Sequence, residues 1–139
     1  MNETIAKDPA LVAAMARALA KSLVYMLAAE PDELTKMHFK LYPAARPISM
    51  SEPDLLRLQR AVMEATAKYM RVDQRLKSRQ EKLGDETDAR ISELAQILKE
   101  GGEMPEALPP DRYFTRQFLP DMNNFDFEAV AAKARAFRA

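Results

Sequence analysis

His38 is the single histidine of this 139-residue chain, which contains no cysteine. Any metal set or acid–base pair using a histidine must therefore be built around that one residue. Thr35 stands three positions before it, where the Glu-x-x-His pattern of helical-bundle metal sites requires an acid. Between Met37 and Phe39, His38 reads as a structural or surface histidine. Without cysteine there is no thiolate nucleophile, no disulfide and no Cys-ligated metal, which fits a reducing compartment. Gly101-Gly102 is too isolated to cradle a phosphate, and no P-loop or dinucleotide fingerprint exists. The carboxylates fall on what read as solvated helix faces. The expectation is a protein that is not an enzyme, with no catalytic residue, metal ligand or cofactor.

Charge is the sharper signal. Lysine plus arginine and aspartate plus glutamate are equal at 21 each, so no global field draws the chain to nucleic acid or an anionic membrane. Locally the balance breaks. From residue 57 to 82 there are eight bases and three acids; from 84 to 106 there are seven acids and two bases. Lys68, Arg71, Arg75, Arg79 and Lys82 recur at helical spacing, as a stripe that tracks a phosphate backbone would. The competing reading is self-neutralisation across a hairpin, with Lys82 near Glu86, Arg75 near Glu93 and Lys68 near Glu100. Glu86, Glu93 and Glu100 recur every seven residues, as a flanking acidic row should. No helix-turn-helix spacing supports nucleic-acid binding, and the aromatics are not interleaved with bases.

The elements that would carry these residues are helical. Leu55, Leu58, Val62, Ala65, Tyr69, Val72, Leu76, Arg79 and Leu83 alternate spacings of three and four, the signature of a long helix with one apolar seam. Ser51, Pro53 and Asp54 mark its start, giving a spine over 52–83 of about 48 Å. Gly84 is placed to end it, and Asp85 or Thr87 to cap a second arm over 86–100; a continuous rod through Gly84 is the alternative. Upstream, Asp8-Pro9 opens and Glu30-Pro31 closes a first helix over 9–29, and a short helix follows over 32–41 with Leu34, Met37 and Leu41 inward. Downstream, the proline-bearing linker 103–110 precedes a short helix capped by Asp111 with Tyr113, Phe114 and Phe118, and then a terminal helix from about Phe125. Six of the ten aromatics lie between residues 113 and 137. The fold class expected is all-α: one domain over 1–139, a helical bundle built around a long antiparallel helical hairpin. Residues 103–139 form an aromatic-rich arm that docks back on the bundle.

The run from Pro9 to Ala29 raises a membrane question. Arg17 and Lys21 near its centre cost about 5 to 7 kcal/mol on the insertion scale, whereas its large aliphatic residues return about 2 to 4. Glu3 and Asp8 ahead of it argue against a signal peptide, so a cytoplasmic location is expected. A helix apolar on nearly every side is buried from several sides or meets another chain. The proximal seam Leu55, Leu58, Val62 and Ala65, beyond reach of an arm of about 22 Å, needs cover from the first helix, the tail or a second copy. The functional expectation is a protein–protein interaction module, an adaptor, small chaperone, accessory subunit or inhibitor, that self-associates. Its partner-binding residues are Val12, Met15, Leu19, Leu23, Met26, Leu55, Leu58, Tyr113, Phe114 and Phe118. Two alternatives stand beside it: a helical nucleic-acid-binding regulator using the basic 57–82 segment, and peripheral lipid or granule-surface binding through the first helix.

Overall fold

The computed structural model describes residues 2–69 and 82–139, and the described residues are helical with no strand. Seam positions Val72, Leu76 and Arg79, and the cations Arg71, Arg75 and Lys77, lie outside them. The helices are α1 (Asn2–Lys7), α2 (Pro9–Ala28), α3 (Pro31–Leu41), α4 (Glu52–Tyr69), α5 (Asp88–Glu100), α6 (Leu119–Met122) and α7 (Phe127–Ala136). The short α1 precedes the first helix read from the sequence. Asp8 separates the two: its carboxylate accepts the Leu11 amide at 2.9 Å, and Pro9 supplies the first turn without a donor to satisfy.

Alanine decides how α2 packs. Ala20 and Val24 are buried and meet Leu83, with Leu23, Leu27, Met122, Phe125, Phe127 and Val130 around them. Side chains this small let α6 and α7 lie close on that face, and both helices pack against α2. Asp126 caps α7 by accepting the Ala129 amide at 2.9 Å. Phe125 and Phe127 stack with centroids 4.2 Å apart, and Lys21 lies over the Phe125 ring at 5.8 Å. The C-terminal arm thus completes the core of its own chain. α2 is long and apolar enough to cross a membrane by length and composition, and this face is where the fold covers it.

A second unit is the pair α3–α4, joined through the 3-10 turn Pro43–Ala45. Ser51 donates to the Asp54 carboxylate at 2.6 Å while its oxygen receives the Asp54 amide at 3.3 Å, the expected helix start. Leu34, Thr35 and Leu55 are buried in this unit, and the Thr35 hydroxyl is satisfied by the Pro31 carbonyl at 2.9 Å. Ala29, Leu34 and the fully enclosed Ala134 join the two units in one small cluster. Arg60 clasps the joint from outside, bonded to Glu30 and, at 3.0 Å, to Asp32; the two carboxylates hold its guanidinium above its ordinary value. Glu33 is held below the ordinary carboxylate range by the Ala139 amide at 2.8 Å and then by Lys36 at 3.0 Å.

The chain breaks at Gly84, so the continuous rod does not form. Gly84 has φ +79°, and a Cβ there would meet the Met122 sulfur at 2.7 Å. Asn123 pins this turn by accepting the Leu83 amide at 2.9 Å and donating to the Leu83 carbonyl at 3.0 Å. Arg116 bonds Asp85 at 3.0 Å, Asp88 at 2.8 Å and the Glu86 carbonyl, and these acids keep it strongly protonated. Thr87 then caps α5. Over the described residues α5 packs on the 3-10 turn Pro110–Arg112 and not on Glu52–Tyr69. Glu100 accepts from Gln96 at 2.8 Å instead of meeting Lys68, and Glu86 takes Arg90 at 3.1 Å; the Arg75–Glu93 pairing lies outside the described residues. The helix expected from Asp111 to Phe118 is also corrected: it shrinks to Pro110–Arg112, and the four-residue α6 starts at Leu119. Pro120 falls in the first turn of α6, where its missing N–H costs no hydrogen bond.

One substitution and one truncation test this packing. Asn123→Ala strands both polar groups of Leu83 and should lower stability by about 1 to 3 kcal/mol in urea denaturation. Truncation after Gly102 removes the cover of Ala20 and Val24 and should give an aggregating or unfolded product, seen as loss of a cooperative thermal transition by circular dichroism.

Candidate interaction surface

The face of α2 opposite Ala20 and Val24 is open. Leu11, Met15 and Leu19 recur every fourth residue along it, and Leu19 is 66% exposed. With Ser22 and Met26 the stripe continues to the C-terminal end of the helix, where it enters a cleft of about 400 Å³. The cleft lies in the crotch between α2 and the α3–α4 pair: Tyr25 and Met26 form one wall, Met37 and Phe39 the other, and Met63 comes from α4. Methionine is unbranched and polarizable, so these walls can adapt to an apolar occupant. The polar lining is sparse. Ser22 donates to its own helix at Leu19 and Thr35 to Pro31, which leaves Tyr25, His38 and Gln59 as the other lining residues with polar groups. His38 is exposed and sits in an aromatic row, 5.0 Å from Phe39 and 5.4 Å from Tyr42 between ring centroids.

A second apolar strip runs along α4. Leu58 and Val62 are exposed, and so is Ala65, the next position of the heptad. The seam is therefore not the surface by which α4 packs on α3. Of Leu55, Leu58, Val62 and Ala65 only Leu55 is buried, while Gln59 and Met63, one step around the helix from Leu58 and Val62, face the cleft shared with α3, and Arg60 pairs with Glu30 and Asp32 at the α2–α3 joint.

The residues expected at a partner interface divide accordingly. Met15, Leu19, Leu58 and Tyr113 are exposed. Val12, Phe114 and Phe118 are half-buried, Leu23 belongs to the α2 core cluster, and Met26 lines the cleft. Leu55 is a correction: at 2% exposure it is held inside the α3–α4 unit and can touch no partner. Tyr113 turns its hydroxyl to its own linker, taking the Leu108 amide at 2.6 Å, and Phe114 lies under Arg116 at 5.1 Å; these aromatics serve the fold. Leu41, placed inward by its helical spacing, is 62% exposed because α3 ends there and the chain turns away. The spacing of Tyr25, Phe39, Gln59 and Met63 within each helix gives no sign that three helices converge on them. Leu11 was legible only as part of the apolar first helix.

Among the described residues no three His, Cys, Asp or Glu side chains gather closely enough to hold a metal ion. Comparison with protein-family models, curated proteins and solved structures finds none that this chain matches. The surface must be read from its own geometry.

That geometry predicts that the cleft admits apolar side chains, while its walls Tyr25, Met26, Met37 and Met63 also pack against the Ala29–Leu34–Ala134 cluster on their other side. Met63→Ala should enlarge the cleft at a stability cost below the 2 to 5 kcal/mol typical of an enclosed methionine. Ala134→Leu, by contrast, overfills the enclosed joint between the two units and should cost about 1 to 3 kcal/mol. Paired urea titrations check the order.

Proposed function

We propose that this chain is a protein–protein interaction module of the adaptor, chaperone, accessory-subunit or inhibitor kind, that it self-associates, and that it performs no catalysis. One observation carries the reading: Leu11, Met15 and Leu19 form an open apolar stripe that leads into a methionine- and aromatic-walled cleft, and Leu58 and Val62 add a second apolar strip. Continuous apolar surface of this kind marks an interaction site more often than it marks a free surface. The architecture that accompanies the proposal is an antiparallel hairpin of the 52–83 spine with α5; the left-handed turn at Gly84 and the fresh cap at Thr87 support it.

The alternatives draw less support. Of the cations in the basic segment, Arg57 is paired with Asp54 at 2.8 Å and Arg60 with Glu30 and Asp32. Those pairs compete with phosphate. A lipid-facing α2 would want its cations beside the apolar stripe, yet Lys21 is turned to the Phe125 ring on the tail side.

Light scattering should give a mass of at least two chains at micromolar concentration. Leu19→Glu should reduce it to the 15.7 kDa of one chain without changing helical content, because the wild-type side chain is exposed. A wild-type monomer at these concentrations defeats the reading. The protein should show no retention on DNA at about 0.15 M salt; binding that is tight there and falls steeply with added salt would favour a nucleic-acid regulator.

A further inference from the structure

We infer that the cleft binds a soft monovalent metal ion, Cu(I), through the thioethers of Met26, Met37 and Met63, with the imidazole of His38 as the fourth donor. The inference stands apart from self-association and requires only one chain.

Sulfur is what three helices share at this place. Met26 comes from α2, Met37 from α3 and Met63 from α4, and all three line the one cleft of about 400 Å³. Each is half-buried and also packs against the Ala29–Leu34–Ala134 cluster, so the fold holds the side chains while the cleft leaves open volume beside them. A methionine has enough rotatable bonds to turn its sulfur toward an ion without moving its helix. Three donors on three helices leave no spacing motif in the sequence. The chain has no cysteine, so the thioether is the only sulfur ligand it can offer.

The donor set then selects the ion. Thioether sulfur is soft and uncharged, and it favours Cu(I) over the harder divalent metals. No charged side chain lines the cleft, so a divalent ion would surrender its hydration with no anion to replace it. A single positive charge loses far less, because hydration free energy grows with the square of the charge. Ser22 and Thr35 do not compete as donors to the ion's shell, since their hydroxyls are committed to the Leu19 and Pro31 carbonyls, each at 2.9 Å.

His38 supplies the nitrogen. Its ring touches Phe39 and Tyr42 only through ring contacts, and among the described residues no hydrogen bond occupies its nitrogens. A neutral imidazole is the commonest protein ligand for a metal. Tyr25 and Phe39 add aromatic walls that limit the approach of water. Such a shell also disfavours oxidation to Cu(II), which prefers a planar set of nitrogen and oxygen donors.

Silver(I) is a redox-inert probe of the same softness. The full chain, carrying 13C-labelled methionine methyl groups, is titrated with Ag(I) in chloride-free buffer, and Cu(I) affinity is measured under ascorbate by competition with bicinchoninate. Expected are methyl shifts that saturate at one equivalent and are confined to Met26, Met37 and Met63, with shifted His38 ring signals. Met15, at 58% exposure the control for unspecific thioether binding, should stay in place. Met26→Leu, Met37→Leu and Met63→Leu conserve volume and should keep the fold, as circular dichroism checks. Each should weaken Cu(I) binding roughly tenfold or more, and Met15→Leu should leave it unchanged. Zn(II) should shift none of these signals. Shifts spread evenly over all the methionines, or Cu(I) held as tightly by the triple leucine variant, overturn the assignment. So does a wild-type chain that takes up neither Ag(I) nor Cu(I) at micromolar concentration.

Discussion

The close approach of α7 to α2 is the constraint on which the other contacts rest. Ala20 on one helix and Ala134 on the other are enclosed almost completely. Because the alanines bring the backbones near, the aromatic residues flanking α7 can reach around α2: Phe125 and Phe127 on one side, Phe137 against Tyr25 on the other at 6.1 Å. Ala134 also touches Ala29 and Leu34, so the same contact fixes where α3 leaves α2. The direction of α3 then sets the crotch, and the crotch sets the cleft.

The ionic contacts are arranged at the joints and not along the faces. Arg60 closes the α2–α3 turn and Arg116 closes the turn around Gly84, each with two carboxylates. All of these side chains keep substantial solvent contact, so their energetic weight is small and their effect is directional. They hold chain segments that have few apolar contacts of their own in one orientation. Glu33, bonded to the Ala139 amide and Lys36, acts in the same way where α3 meets the end of α7. Its carboxylate pKa is depressed in the fold, so its contribution is complete above the ordinary glutamate value of 4.5 and is lost as pH falls through the lower folded value.

Functional meaning then attaches to what this packing leaves uncovered. A helix with apolar residues on nearly every side can be enclosed completely only if neighbours are supplied for each side. The chain supplies α6 and α7 for one face of α2, and α3–α4 only for the far end of the other. The remaining stripe, Leu11, Met15 and Leu19, is exposed and is bounded by a cleft at one end.

The sequence by itself determined the local elements, because their signals act within a few residues. Asp8-Pro9, Ser51 with Asp54, and Thr87 each start a helix through a hydrogen bond that needs no distant partner. It also determined that the chain is helical and that α2 is too apolar to stand alone. Tertiary structure decided which face of each helix is used. The heptad through Leu58, Val62 and Ala65 is real as a pattern, yet these three residues are exposed on the described fold. Leu55 is buried and Leu58 exposed although the spacing treats them alike. Periodicity reports that a helix has an apolar side; only the packing of the helices on one another determines what that side meets.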